Sequence, residues 1–203
     1  MSETMLIALA TFCFVSSITP GPNNLMLLAS GANFGFRRTV PHLLGVCFGF
    51  AAMVFAVGMG LGSLFSAYPA FYDVLRVVAV LYMLWLAWRI ATADGLGEVS
   101  GAARPMSFLE AVAFQWINPK AWAMALGATA AFVTPEAFLA GVTIVTIVFA
   151  AVNLPCIASW AGFGVVLRRF LDRPGAMRAF NVTMAVLLVA SLYPMVEGFG
   201  AKV

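Results

Sequence analysis

The sequence predicts an all-α integral membrane protein: six transmembrane helices forming two inverted three-helix repeats, with the first and fourth helices broken. Three observations carry this. Of 203 residues, 63% are hydrophobic and 9% charged, with a mean hydropathy of +1.00, whereas soluble domains hold about 25% charged residues. The apolar residues fall into runs that each reach or exceed the roughly 20 residues that cross a hydrocarbon core. Two runs are interrupted at matching places, by Thr19-Pro20-Gly21-Pro22-Asn23-Asn24 and by Asn118-Pro119-Lys120.

The runs are Met5–Phe34, Val40–Ser66, Phe71–Ala91, Phe108–Phe132, Ala137–Leu167 and Ala179–Phe199. Met1-Ser2-Glu3-Thr4 lacks the basic segment of a signal peptide, so the first run is expected to be kept as a mature helix. Short linkers join the runs: Gly35-Phe36-Arg37-Arg38, Ala67-Tyr68-Pro69-Ala70, Val133-Thr134-Pro135 and Arg168–Arg178. The longest, Thr92 to Met106, is glycine-rich and divides one transmembrane domain, residues 1–203, into repeats at 1–92 and 107–203.

Arginines 37, 38, 89, 104, 168, 169, 173 and 178 lie in or beside the first, third and fifth linkers. The opposite side has Arg76 and Lys202 beside Glu3, Asp73, Glu136 and Glu197. Cytoplasmic loops carry the excess of Lys and Arg, so both termini are expected outside. Arg89, with Tyr82, Trp85 and Trp88, reads as an interfacial girdle with a snorkelling cation.

Three crossings per half make the second half enter from the opposite face. The offset that aligns Ile18-Thr19-Pro20 with Ile117-Asn118-Pro119 also brings Leu27-Leu28-Ala29-Ser30 onto Leu126-Gly127-Ala128-Thr129. This fits an inverted repeat, whose broken helices mark a carrier's substrate site at the repeat interface.

At the first break, Pro20 and Pro22 remove amide donors and Gly21 relaxes the chain between them. Asn23 or Asn24 is expected to cap the second half-helix, whose amides and positive dipole end suit a carboxylate. A proline kink healed by neighbouring helices is the structural alternative. In the fourth run, Ser107-Phe108-Leu109-Glu110 reads as a capping box, which puts Asn118, Pro119 and Lys120 about 15 Å into the span.

A lysine at the bilayer centre costs about 2.5–3.5 kcal/mol on insertion scales and needs a partner or a wet cavity. No acidic residue lies at that depth, so the missing counter-ion is read as the carboxylate of an amino-acid substrate. The alternative rests Lys120 on the carbonyls that end the preceding half-helix. Asn153 and Pro155 in the fifth span are further candidates, though a kink with packing explains them equally well. His42 reads as an interfacial residue, with proton relay as the other option.

The glycine pairs 31/35, 45/49 and 58/62 suit tight helix packing or a homodimer contact. Cys13, Cys47 and Cys156 are scattered singly, without metal-ligand or redox spacing. No metal, other cofactor or nucleic-acid partner is therefore expected.

Pro20-Gly21-Pro22-Asn23-Asn24 with Gly35-Phe36-Arg37-Arg38, and Phe114-Gln115-Trp116-Ile117-Asn118-Pro119-Lys120-Ala121-Trp122, resemble the two signatures of the LysE/RhtB family of amino-acid exporters. The resemblance covers the whole chain in length and span order, and the last fifty residues match in hydropathy alone. It implies a small carrier of the bacterial cytoplasmic membrane, extruding amino acids or derivatives and driven by protons. Many relatives carry an aspartate where Phe50 follows Gly45-Val46-Cys47-Phe48-Gly49 here, which favours neutral substrates.

Two other classes compete. A membrane enzyme or thiol carrier needs a paired nucleophile and base or paired cysteines, and neither pattern is present. An accessory membrane subunit, which would not require a buried lysine, and an exporter of another small carboxylate-bearing metabolite are the alternatives. No phosphate-binding loop suggests direct ATP coupling.

Overall fold

Proline, glycine and asparagine interrupt the apolar runs where the sequence predicts. In the computed structural model, which describes residues 1–62, 67, 69–92, 104–171 and 174–192, every regular element is helical. The first run forms α1 (Glu3–Ile18) and α2 (Pro22–Phe34), bent by 56° across the break. The second forms α3 (Phe36–Ala56), extended by a π turn over Val57–Leu61, and the third forms α4 (Pro69–Ala91). The fourth is divided into α5 (Phe108–Gln115) and α6 (Pro119–Phe132). A 3-10 turn at Pro135–Ala137 leads into α7 (Phe138–Arg168), and α8 covers Pro174–Ala190.

The α3 segment Phe36–Leu61 and the α7 segment Pro135–Arg168 are each long and apolar enough to cross a membrane, and the bent α1–α2 pair adds a third such unit. Glu197, Lys202, the end of the sixth run and most of the long third linker lie outside the described residues.

Local chemistry sets the helix ends. Ser2 Oγ accepts from the Met5 amide at the start of α1. The expected capping box forms at α5: Ser107 Oγ accepts from the Glu110 amide at 3.3 Å, and Glu110 accepts from the Ser107 amide at 2.7 Å. Arg104 closes this end with a forked pair to the Glu110 carboxylate at 2.6 and 2.7 Å, which raises its own pKa further. Pro41 and Pro155 both sit inside continuous helices.

Two apolar clusters flank the paired breaks. One gathers Leu9 and Cys13 of α1, Phe50 and Met53 of α3, Trp122 of α6 and Phe149 of α7. The other joins Leu28 of α2, Met83 of α4, Phe114 of α5 and Leu188 of α8. Helix α7 crosses α2 at backbone contact: a Cβ on Gly31 would collide with the Ala161 carbonyl, and one on Gly164 with the Leu28 carbonyl. Gly45 and Gly49 seat α3 against α5 in the same way. Glycines 31, 45 and 49 thus serve packing within the chain.

Candidate functional site

A helix that stops inside an apolar bundle leaves its last carbonyls without partners, and burying them unpaired is costly. Here the carbonyls at the end of α1 are met by side chains from three other helices. Asn24 of α2 reaches back and donates to the Ser17 and Thr19 carbonyls, both at 2.8 Å. Trp160 of α7 donates its indole N–H to the Ile18 carbonyl at 3.1 Å. Lys120 of α6 donates from Nζ to the Thr19 carbonyl at 2.7 Å, to Thr19 Oγ1 at 2.9 Å and to the Pro20 carbonyl at 3.3 Å.

The end of α5 is closed more locally. Amides of Trp116, Ile117 and Asn118 turn back onto the carbonyls of Ala113, Phe114 and Gln115. The Trp122 indole covers the Trp116 carbonyl at 2.9 Å. Asn118 is the N-cap of α6, its Oδ1 accepting from the Lys120 amide at 3.1 Å, with Pro119 in the first helical position.

Two sequence expectations need correction. Neither Asn23 nor Asn24 caps α2. Gly21 occupies that position without a side-chain bond, because Asn24 is drawn back to α1. Asn23 instead exchanges amide bonds with Gln115 of α5, at 2.8 and 3.2 Å. Lys120 does rest on carbonyls that end a half-helix, as the alternative reading has it, but on those of α1 and not of its own preceding α5. Its ammonium crosses to the other break and lies against Gly21, where a Cβ would stand 2.7 Å from Lys120 Cδ.

A small cavity of about 20 Å³ lies between the two breaks, lined in part by Ser17, Gly21, Asn24, Asn118, Lys120 and Asn153. Asn23 borders it too. Ser17 Oγ is buried there with no hydrogen-bond partner. Pro22 is buried at the head of α2, whereas Pro20 is exposed. Pro155 is exposed on α7 and does not border the cavity. Phe50, in the position where an acid was the alternative, forms an apolar part of the wall and packs edge-on against Phe149 at 4.9 Å.

His42 is 2% exposed, so the interfacial reading gives way to a buried one. Trp88 faces outward as a girdle residue should, while Tyr82, Trp85 and Arg89 also border a half-open cavity between the helices. Gln115 and Trp160 complete the site without having been singled out as site residues. Gln115 lies one turn before Asn118 in the second motif, which was the available signal.

The family model for LysE type translocators matches residues 14–191, nearly the whole of the described bundle and both breaks. The chain belongs to the LysE type translocator family. It is therefore a membrane transporter and not an enzyme. Among its relatives, the "Cysteine/O-acetylserine efflux protein" of Escherichia coli (strain K12) is 33% identical over 198 residues, covering 93% of this chain and 96% of that protein. The protein of the same name from Shigella sonnei (strain Ss046) matches to the same extent. No solved structure matches the chain.

In this translocator the indole of Trp160 is one of three devices that heal the end of α1. Trp160→Phe keeps a smaller aromatic ring and removes the donor, leaving the Ile18 carbonyl without its indole partner. A loss of about 1–3 kcal/mol is expected, read as a lower unfolding temperature of the detergent-solubilised protein. An unchanged transition would show that water or a neighbour replaces the indole.

Proposed function

We infer that this translocator is a secondary-active exporter of small neutral amino acids or their derivatives across the bacterial cytoplasmic membrane. Six crossings in two inverted three-helix halves would rock about the paired breaks, with both termini outside and protons as the coupling ion. The observation that carries the reading is the ammonium of Lys120, held at the broken end of α1 beside the uncapped start of α2.

Carbonyl dipoles hold that ammonium, and a carboxylate binds it more strongly because a full negative charge adds Coulomb attraction that a neutral carbonyl lacks. An arriving amino acid can therefore take over contacts now made by Thr19 and Pro20. Ser17 Oγ, Asn118 and Asn153 offer hydrogen bonds around the same point. A cavity of about 20 Å³ holds no more than a water. Binding thus requires the two breaks to separate, which links occupancy to the movement of one half against the other.

The relatives' names supply the substrate class: cysteine and O-acetylserine are small and carry no net side-chain charge. Phe50 supports it from within the site, since an apolar ring at the wall gives a cationic side chain no counter-charge.

Proteoliposomes loaded with radiolabelled cysteine, O-acetylserine, threonine, leucine or arginine test the reading. The expected result is efflux of one or more neutral solutes, accelerated by an imposed proton gradient, with arginine slowest. Faster arginine release would overturn the neutral preference. Gradient-independent rates would remove proton coupling.

A further inference from the structure

A second cavity, of about 250 Å³, lies between α2, α3, α4 and α5. Its wall runs along α2 from Met26, one turn beyond Asn23, to Phe34, and also includes the exposed residues Arg89, Arg104 and Glu110. Three features set it apart from a packing defect. The volume exceeds that of the cavity beside Lys120 by an order of magnitude and is ample for an amino acid.

His42 stands in the wall at 2% exposure, and neither Nδ1 nor Nε2 has a hydrogen-bond partner. A buried imidazole without partners bears the full cost of its desolvation, a cost that a polar guest offsets. Arg89, also in the wall, lays its guanidinium over Trp85, 5.2 Å from the ring centre, and has no carboxylate within ion-pair distance among the described residues. Arg104 is different, its fork already occupied by Glu110. Ser30 borders the same space, with its hydroxyl paired to that of Thr39.

We propose that this cavity is a loading site for a small zwitterionic amino acid on the cytoplasmic side, separate from the site at Lys120. Arg89 receives the carboxylate, as a planar guanidinium suits. His42 takes a hydrogen bond from, or gives one to, the polar group at the other end of the guest. The site rests on the proposed export function and its orientation, because Arg89 and Arg104 belong to the side read as cytoplasmic. It gives the exporter a place to collect solute while the space around Lys120 remains closed.

Equilibrium binding of radiolabelled O-acetyl-L-serine and L-cysteine to the full-length protein in lipid nanodiscs tests this. Lys120→Met is expected to keep binding while losing efflux, since the loading site is intact. His42→Phe, which keeps an aromatic ring of similar size, and Arg89→Gln, which keeps a polar side chain, are each expected to weaken binding by about tenfold or more. Thermal unfolding of each variant shows whether it is folded, and Arg89→Gln decides the matter should His42→Phe fail to fold. Unchanged affinity in a folded His42→Phe or Arg89→Gln variant overturns the loading site, as does the absence of binding of either probe to the wild type. Normal efflux by Lys120→Met overturns the central site instead and leaves the loading site standing.

Discussion

Lys120→Met is expected to reduce export to background while the protein still reaches the membrane in normal amount. Methionine keeps most of the stem that packs beside Gly21 and removes the three bonds from Nζ to Thr19 and Pro20. The structural cost is limited, because Asn24 continues to donate to the Thr19 carbonyl and Pro20 is exposed. Even one buried acceptor left unpaired would cost only about 1–3 kcal/mol, less than the stability of an ordinary domain, and here the freed acceptors are exposed or keep a donor. The functional cost is larger. A carboxylate entering between the breaks finds no cation, and each 1.4 kcal/mol of lost attraction is about tenfold in affinity. Lys120→Arg retains the charge, but its planar fork is larger where Gly21 leaves little room, so partial activity is expected. Efflux from proteoliposomes, normalised to protein in the bilayer, is the measurement. Near-normal rates for Lys120→Met would return the lysine to a purely structural role.

The breaks themselves were legible because proline, glycine and asparagine punctuate an apolar run through backbone chemistry alone. Ser107 and Glu110 were legible for the same reason, a cap being decided within four residues. What the asparagines do was not. Asn24 turns back to α1 and Asn23 across to Gln115 because of which helix ends lie nearby, and spacing along the chain carries no record of that. The same holds for Lys120, whose partners are some hundred residues distant.

Helix faces were also hidden. On α7, Ile147, Leu154 and Phe163 are exposed while Val145, Phe149 and Ile157 are buried, although all six are apolar. In a membrane protein lipid and protein interior select the same side chains, so hydropathy marks the span without marking its inner face. His42 shows the opposite failure. A polar residue near a run's end reads as interfacial, yet His42 is almost fully buried.

Gly164→Leu is expected to abolish the folded protein altogether. On α7, the added Cβ would fall on the Leu28 carbonyl and lie 2.9 Å from the Ala32 amide nitrogen, both backbone atoms of α2. No rotamer relieves such a contact, because the collision precedes any side-chain torsion. The helices must separate, and Gly31 against the Ala161 carbonyl then loses its fit as well. Overpacking of this kind costs about 1–3 kcal/mol in forgiving cores, and a backbone-to-backbone crossing is expected at or beyond the upper end. The damage reaches the site, since Trp160 lies one turn from Gly164 and holds the end of α1. Separating α2 from α7 withdraws that bond and exposes the broken helix end. The control is Gly162→Ala on the same helix, which meets nothing within 4 Å. Alanine there is expected to be neutral or stabilising by up to about 1 kcal/mol, from helix propensity. Size-exclusion profiles and membrane yield should therefore collapse for Gly164→Leu and remain normal for Gly162→Ala. A sharp, wild-type peak from Gly164→Leu would show that α2 and α7 do not cross at these glycines.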